Sequence, residues 1–351
     1  MALTQTQMAM LTKARTGGGS ELGVSLDDAA SAYLAARIVL DLGIKESFAQ
    51  VPRDLPPFFG AGSPRRLRLE GVDFMALFTQ LLERHNDADT YFYCLATLHK
   101  ARLKYERILQ AQDIPTIDQV GPRGLLQYGS LSPGALAGLL FWRKWMYDID
   151  NRAGQETGYV FEPIIARAIG GVPYGAQKSP IRRGGTGRLG RQVDCIREQK
   201  AYEIKLRVTI AASGQGRWGE ELEFPRDCTA SGFVPVLIVL DPTDNPKMRQ
   251  LRQAFAAVGG ESYVGGAAWD HLNTVAGSTM SRFIRLYVHD PIESLLKEAP
   301  ERLPGMSLQM NDEQLVITIG EEILAVQRDI RSLIPSEQLE LPDDVDEELP
   351  D

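Results

Sequence analysis

The residues whose types and spacing could do chemistry are Asp194, Glu203 and Lys205. Asp194 lies in Arg191-Gln192-Val193-Asp194-Cys195-Ile196, and the other two lie in Ala201-Tyr202-Glu203-Ile204-Lys205-Leu206. In a strand, residues two apart share a face, so Glu203 and Lys205 project together while Tyr202, Ile204 and Leu206 turn to the apolar side. The polar stretch from Arg197 to Lys200 suits a hairpin turn, which brings Asp194 beside Glu203. Two carboxylates at one sheet edge form a hard-oxygen site of the kind Mg²⁺ takes. An ion held there lowers the pKa of a bound water and neutralises charge on a phosphodiester. The Lys205 ammonium is then placed to hold that water and to stabilise the pentacovalent phosphate. A lone Glu-x-Lys is a weak signal. A second one, Glu198-Gln199-Lys200, lies in the expected turn. For either, the ordinary alternative is a solvated strand face with a cross-strand ion pair. Context separates the two: Asp194 upstream on a paired strand, Glu162 on a preceding helix, and a buried strand after.

The elements that must position these groups follow from periodicity. Strands are expected over about 191–197 and 201–209. Phe233 to Leu240 (FVPVLIVL) is almost continuously apolar and reads as a strand buried on both faces. A short helix after 155, with Phe161, Ile164, Ile165 and Ala168 on one face, ends at Gly170-Gly171, and Pro163 should kink it or delay its start. Helices are expected over about 247–258 and 267–276, and a polar, partly helical segment over 217–230. Upstream, a helix begins at Ser25 and ends at Gly43, another carries Phe74, Leu77, Phe78 and Leu81, and longer ones run from about Asp89 to Gln112 and from Ser132-Pro133 to about Asp150. The last fifty residues offer a strand at Gln314–Ile319 and then a helix to about Ile334. The order is α/β, with a mostly helical amino-terminal region. The expected division is a mobile terminus (1–23), a helical region for DNA binding or dimerisation (24–150), an α/β core (151–300), an extension (301–336) and an acidic disordered tail (337–351).

The helix bearing an acid, the hairpin bearing Asp and Glu-x-Lys, and the buried strand together resemble the PD-(D/E)xK nuclease superfamily over about 155–290. The resemblance implies a restriction-endonuclease-like core. It gives Asp194, Glu203 and Lys205 the three catalytic places and Glu162 the helical acid. Mg²⁺ is then held by Asp194, Glu203 and the backbone carbonyl of Ile204. Val193 stands where the superfamily often has Pro. The flanking stretches Ala211-Ala212-Ser213-Gly214-Gln215-Gly216-Arg217-Trp218-Gly219-Glu220-Glu221 and Trp269-Asp270-His271-Leu272 are similar to type II restriction endonucleases of the ApaLI-like group. Members of that group are expected to cut the palindrome GTGCAC, as homodimers paired with a cognate DNA methyltransferase.

Groups that could hold double-stranded DNA lie on both sides of the strands. Lys178, Arg182, Arg183, Arg188 and Arg191 fall within fourteen residues that contain no acid and four glycines. Phosphate contacts need such cations and backbone N–H groups, although a solvated basic loop has the same composition. Arg207 near the end of the second strand, and Arg217, Trp218, Glu220, Glu221 and Arg226 after it, are candidate DNA contacts. Arg pairs with guanine and carboxylates accept from the cytosine amino group, while Trp218 suits core packing better than stacking on a base. His99, Lys100, Arg102, Lys104 and Arg107 suit a charged outer helix face.

Composition narrows the remainder. The net charge of −8 runs against DNA binding at first sight, but eight acids and no base fall in 337–351, leaving 38 acids against 38 bases elsewhere. No apolar run is long enough to cross a membrane and no export signal opens the chain, so a cytoplasmic protein is expected. Cys94, Cys195 and Cys228 form no CxxC pair and are expected to be free, buried thiols. The histidines lack zinc-site spacing. A repair or recombination nuclease of the same fold, and a non-catalytic nucleic-acid-binding protein, are the competing readings. No GxxxxGK loop supports an ATP-driven machine.

Overall fold

A computed structural model of the chain describes residues 3–17, 23–60, 62–184, 190–206 and 215–329, without the side chains of 215–217. The acidic tail and the expected carboxyl-terminal helix beyond 329 lie outside these residues. The helices are α1 (Gln5–Arg15), α2 (Asp28–Asp41), α3 (Phe74–Arg84), α4 (Ala88–Ala111), α5 (Ile117–Val120), α6 (Pro133–Ala168), α7 (Gln215–Ala230), α8 (Pro246–Ala256), α9 (Gly266–Ile284) and α10 (Asp290–Lys297). The strands are β1 (Val172–Tyr174), β2 (Val193–Arg197), β3 (Lys200–Lys205), β4 (Val234–Val239), β5 (Glu261–Val264), β6 (Met306–Met310), β7 (Gln314–Ile319) and β8 (Glu322–Gln327). Among the described residues no helix is long and apolar enough to cross a membrane.

The chain divides into two compact units. One holds 1–17, 25–99 and 158–297; the other holds 18–24, 100–157 and 298–351. In the first, β1 to β5 form a sheet in that order, antiparallel through β3 and parallel from β3 to β5. β4 lies between β3 and β5 with Val236 to Val239 fully buried, which explains its unbroken apolar sequence. Burying each of these side chains contributes about 1.5–3 kcal/mol. On one face, Val193, Ala201, Leu237 and Val239 pack with Phe224 and Cys228 of α7 and Met248, Leu251 and Phe255 of α8. On the other, the Cys195 thiol lies against the Ala166 carbonyl of α6, and the Tyr202 ring faces His271 of α9 at 5.9 Å. All three cysteines are free and buried, as their spacing implies. The helical part of this unit is tied by buried Asp41 at the end of α2. Asp41 accepts from Arg37 (2.9 Å), from the Tyr91 hydroxyl of α4 (3.0 Å) and from the Tyr287 hydroxyl (2.5 Å) in the π-helical stretch (Arg285–His289) that joins α9 to α10. In the second unit, Trp145 of α6 packs with Leu315 and Val326 of the antiparallel sheet β6-β7-β8.

Several local expectations are corrected. The amino terminus expected to be mobile carries α1, closed by a Thr4/Gln7 capping box and anchored by buried Leu11 and Ala14. Helix α2 is capped by Asp27, whose side chain accepts from the Ala30 N–H, and not by Ser25. The break expected near residue 150 is absent: α6 is a single helix of 36 residues with Pro163 inside it. Proline removes one N–H from the ladder and leaves the Tyr159 carbonyl without that partner, a local cost the rest of a long packed helix offsets. The helix expected after Gln314–Ile319 is instead β8, paired to β7 through a two-residue turn in which Gly320 has φ +60°. A glycine there meets no steric penalty and closes a hairpin. Strands β1, β5 and β6 carry no strong apolar alternation, so the sequence alone does not announce them.

Candidate active site

The hairpin β2–β3 builds the site. Its register, Cys195 opposite Tyr202 and Arg197 opposite Lys200, places Asp194 opposite Glu203 one step further along. The turn is shorter than expected. Only Glu198 and Gln199 form it, Glu198 with φ +54°, and Lys200 is already the first residue of β3. Lys200 therefore points to the neighbouring parallel strands, where its ammonium meets Glu261 of β5 at 2.7 Å. At the far end of β3, Glu203 and Lys205 share one face at 3.0 Å, and only 18% of each side chain is exposed. Asp194 Oδ2 accepts from the Ile204 N–H at 2.8 Å. Behind the hairpin, Gly171 leaves no room for a side chain, since a Cβ there would stand 2.0 Å from Cys195 Sγ and 3.2 Å from the Ile196 carbonyl oxygen. That close approach fixes β2, and with it Asp194, against the end of α6.

The electrostatics mark the site as a cluster of negative charge. Burial, then the charges of Glu203 and Glu162, raises Asp194 well above the usual carboxylate range despite the Ile204 hydrogen bond. Burial and the charge of Glu203 push Glu162, on α6, up to about 7. Lys205 is held charged: burial disfavours its ammonium, but Glu203, Glu221 and Asp194 together outweigh that and raise its pKa. Such opposed perturbations in one place are characteristic of functional sites. Among the described residues no three acidic, His or Cys side chains close on one point. Glu203 is instead turned to Lys205, and Asp194 to the Ile204 N–H. The donor set nevertheless fits a hard divalent cation: oxygen ligands only, buried, and carrying repulsion that a cation would relieve.

Outside this cluster the placements differ from expectation. Arg191 is buried. Its guanidinium bonds to the Asp227 carboxylate and the Glu220 carbonyl and lies 5.6 Å from the Phe224 ring centroid, so it is an internal tie and not a phosphate contact. Trp218 packs against the α7–α8 core, with Lys247 over its ring at 5.0 Å and its indole N–H donated to Gln250, so it is not presented for stacking on a base. Glu220 pairs with Arg183 at 2.8 Å, and Glu221 lies 3.5 Å from Lys205. Lys178, Arg182 and Arg183 are exposed. Arg188 and Arg207 lie outside the described residues, as does the side chain of Arg217. On α4, His99 is buried, Lys104 pairs with Glu156 at 2.7 Å, and Arg107 donates to the Gly23 carbonyl. These groups are engaged within the protein. The hairpin and the acids around it are legible in the sequence. The contact of Glu221 with Lys205 is not, because it joins a helix to a strand end across sixteen residues, eight of which lie outside the described set.

The profile of the ApaLI-like restriction endonuclease family matches residues 68–289, which include Glu162, Asp194, Glu203, Lys205 and Glu221. The type II restriction enzyme ApaLI of Acetobacter pasteurianus is 49% identical over 273 residues, covering 73% of this chain and 72% of that protein. No solved structure matches.

Proposed function

The chain belongs to the ApaLI-like restriction endonuclease family, and from that premise we propose that it is a type II site-specific deoxyribonuclease of PD-(D/E)xK architecture. Its substrate is double-stranded DNA containing the palindrome GTGCAC, and its cofactor is Mg²⁺. The observation that carries this reading is the juxtaposition of Asp194, Glu203 and Lys205 on one half-buried hairpin end. Asp194 and Glu203 hold the cation, with the Ile204 carbonyl as a third donor and Glu162 at the rim. When bound, the ion supplies Lewis-acid charge neutralisation and an acidified water. The Ile204 N–H orients the Asp194 carboxylate. Lys205 donates to the attacked phosphate and steadies the charge that develops on it. Lys178, Arg182 and Arg183 contact the phosphate backbone, together with Arg188, Arg207 and Arg217.

We further propose that the protein acts as a homodimer in the cytoplasm beside a cognate methyltransferase. A double-strand break needs two such sites, and a two-fold axis matches a palindrome. The interface is assigned to the unit containing 100–157, where Leu125, Leu126, Tyr128 and Tyr147 are largely exposed, Leu126 by 97%. The test is digestion of fully sequenced DNA with Mg²⁺ and mapping of the ends. Ends confined to GTGCAC support the proposal, heterogeneous ends indicate a repair nuclease, and intact DNA indicates a binding protein.

A further inference from the structure

We propose that Glu221 of α7 is a positioning residue for Lys205, holding its ammonium in place when Glu203 is given over to the metal ion. This deepens the nuclease reading and rests on it.

Lys205 has two carboxylate neighbours. Glu203 is at 3.0 Å on its own strand, and Glu221 is at 3.5 Å on the helix that covers the sheet. Glu203 has two tasks that compete. It is a metal ligand in the working site, and a carboxylate that coordinates a divalent cation has its negative charge largely neutralised. Without a second anion, Lys205, whose side chain is 18% exposed, would lose most of its counter-charge at the moment its position matters. Glu221 is 31% exposed and lies on α7, apart from the Asp194–Glu203 hairpin. It can therefore keep the ammonium in place through the reaction. Groups that hold a reacting group without touching the substrate typically contribute about 10–100-fold to activity.

The sequence reading makes Glu221 a base reader, and the two roles differ in what they predict. A base reader changes site preference and DNA affinity. A positioning residue lowers turnover and leaves both alone. The exposed Glu223 on the same helix provides the control.

The experiment compares wild type, Glu221→Gln, Glu221→Asp, Glu223→Gln, Lys205→Ala and the double variant carrying Lys205→Ala with Glu221→Gln. It measures single-turnover cleavage, equilibrium binding of cognate DNA in Ca²⁺, and thermal melting. The expected result is that Glu221→Gln cleaves about 10–100-fold more slowly with unchanged DNA affinity, site preference and Tm. Glu221→Asp should recover part of the rate, and Glu223→Gln should not slow the chemical step. The loss should also vanish in the Lys205→Ala background, where adding Glu221→Gln leaves the residual cleavage as it was. Glu221→Gln cleaving at the wild-type rate, or losing rate only in step with DNA affinity or Tm, overturns the proposal. Full activity in Lys205→Ala instead overturns the underlying catalytic reading, so the two failures are distinguishable.

Discussion

The tripeptide pattern Glu-x-Lys occurs at both ends of β3, and the two copies have different fates. Glu198-Gln199-Lys200 occupies the turn and the first strand position. Its Glu takes a left-handed backbone and is exposed, and its Lys forms a partly exposed pair with Glu261. Glu203-Ile204-Lys205 occupies the other end, where burial is deeper, Asp194 stands opposite and Glu162 and Glu221 close in. The pattern is thus not what makes a site. What matters is whether the two charged residues share a strand face, whether further acids converge on them, and whether water is kept out. An ion pair in high dielectric is worth little, whereas one in a desolvated acidic cluster changes the protonation of everything near it.

The widest separation between the two copies is expected in catalysis. Glu203→Gln or Asp194→Ala should abolish cleavage of plasmid DNA while leaving cognate binding largely intact, because in the proposed reaction these groups hold the cation and not the bases. Lys205→Ala should lose nearly all activity and keep only slow residual cleavage, and Lys200→Ala should cut normally. Activity lost in Lys200→Ala and kept in Lys205→Ala would reverse the assignment of the two ends.

A second contrast is between buried and exposed pairs in stability. Arg191 and Asp227 are both over nine-tenths buried. Asp227→Ala strands the guanidinium and should lower unfolding stability by about 3–5 kcal/mol in denaturant melts. Replacing both partners by apolar residues of similar volume, Arg191→Met with Asp227→Leu, should recover much of that loss. A small loss in Asp227→Ala would mean that Arg191 escapes to solvent and is available to DNA after all.

The smallest effects belong to the outer copy. Removing Lys200 or Glu261 should cost about 0.2–1 kcal/mol, and less at high salt. This contribution should also depend on pH. Partial burial disfavours the Glu261 carboxylate, but hydrogen bonds from Lys200 and Tyr263 outweigh that and hold it below its ordinary range. A carboxyl whose folded pKa is depressed stabilises the fold above its unfolded pKa and loses that contribution as pH falls through the folded value. The difference between wild type and Lys200→Ala should therefore be constant near neutrality and disappear at pH well below about 4. A difference that grew on acidification would contradict the assigned pair.

The contrast also explains what can be read from sequence. The period of two places Glu203 and Lys205 on one face, and the unbroken run around Ile238 announces a central strand, because both signals are local. The fates of Arg191 and Trp218 are not local. A cation in a Gly-rich stretch has the composition of a phosphate-binding loop whether it reaches solvent or turns inward to Asp227, and only the fold decides. Pro163 misleads in the same way, since packing along α6 overrides one missing hydrogen bond. β8 reads as helix because Glu322 to Gln327 has acceptable helix formers, and its pairing with β7 lies outside any single-segment pattern.

The three cysteines turn the sheet into a clock. Each thiol is buried, and burial pushes Cys195 up to about 12, so none should react with a thiol reagent while the unit stays closed. Cys195 neighbours Asp194 on the catalytic strand, Cys94 sits on α4, and Cys228 lies on the helix carrying Glu221. Labelling rates then report how often each piece opens. Equal rates at all three mean that the catalytic hairpin opens only when the whole unit does. A faster Cys195 would mean that the strand bearing Asp194 breathes by itself, and its rate would measure how much of the time the hairpin is open.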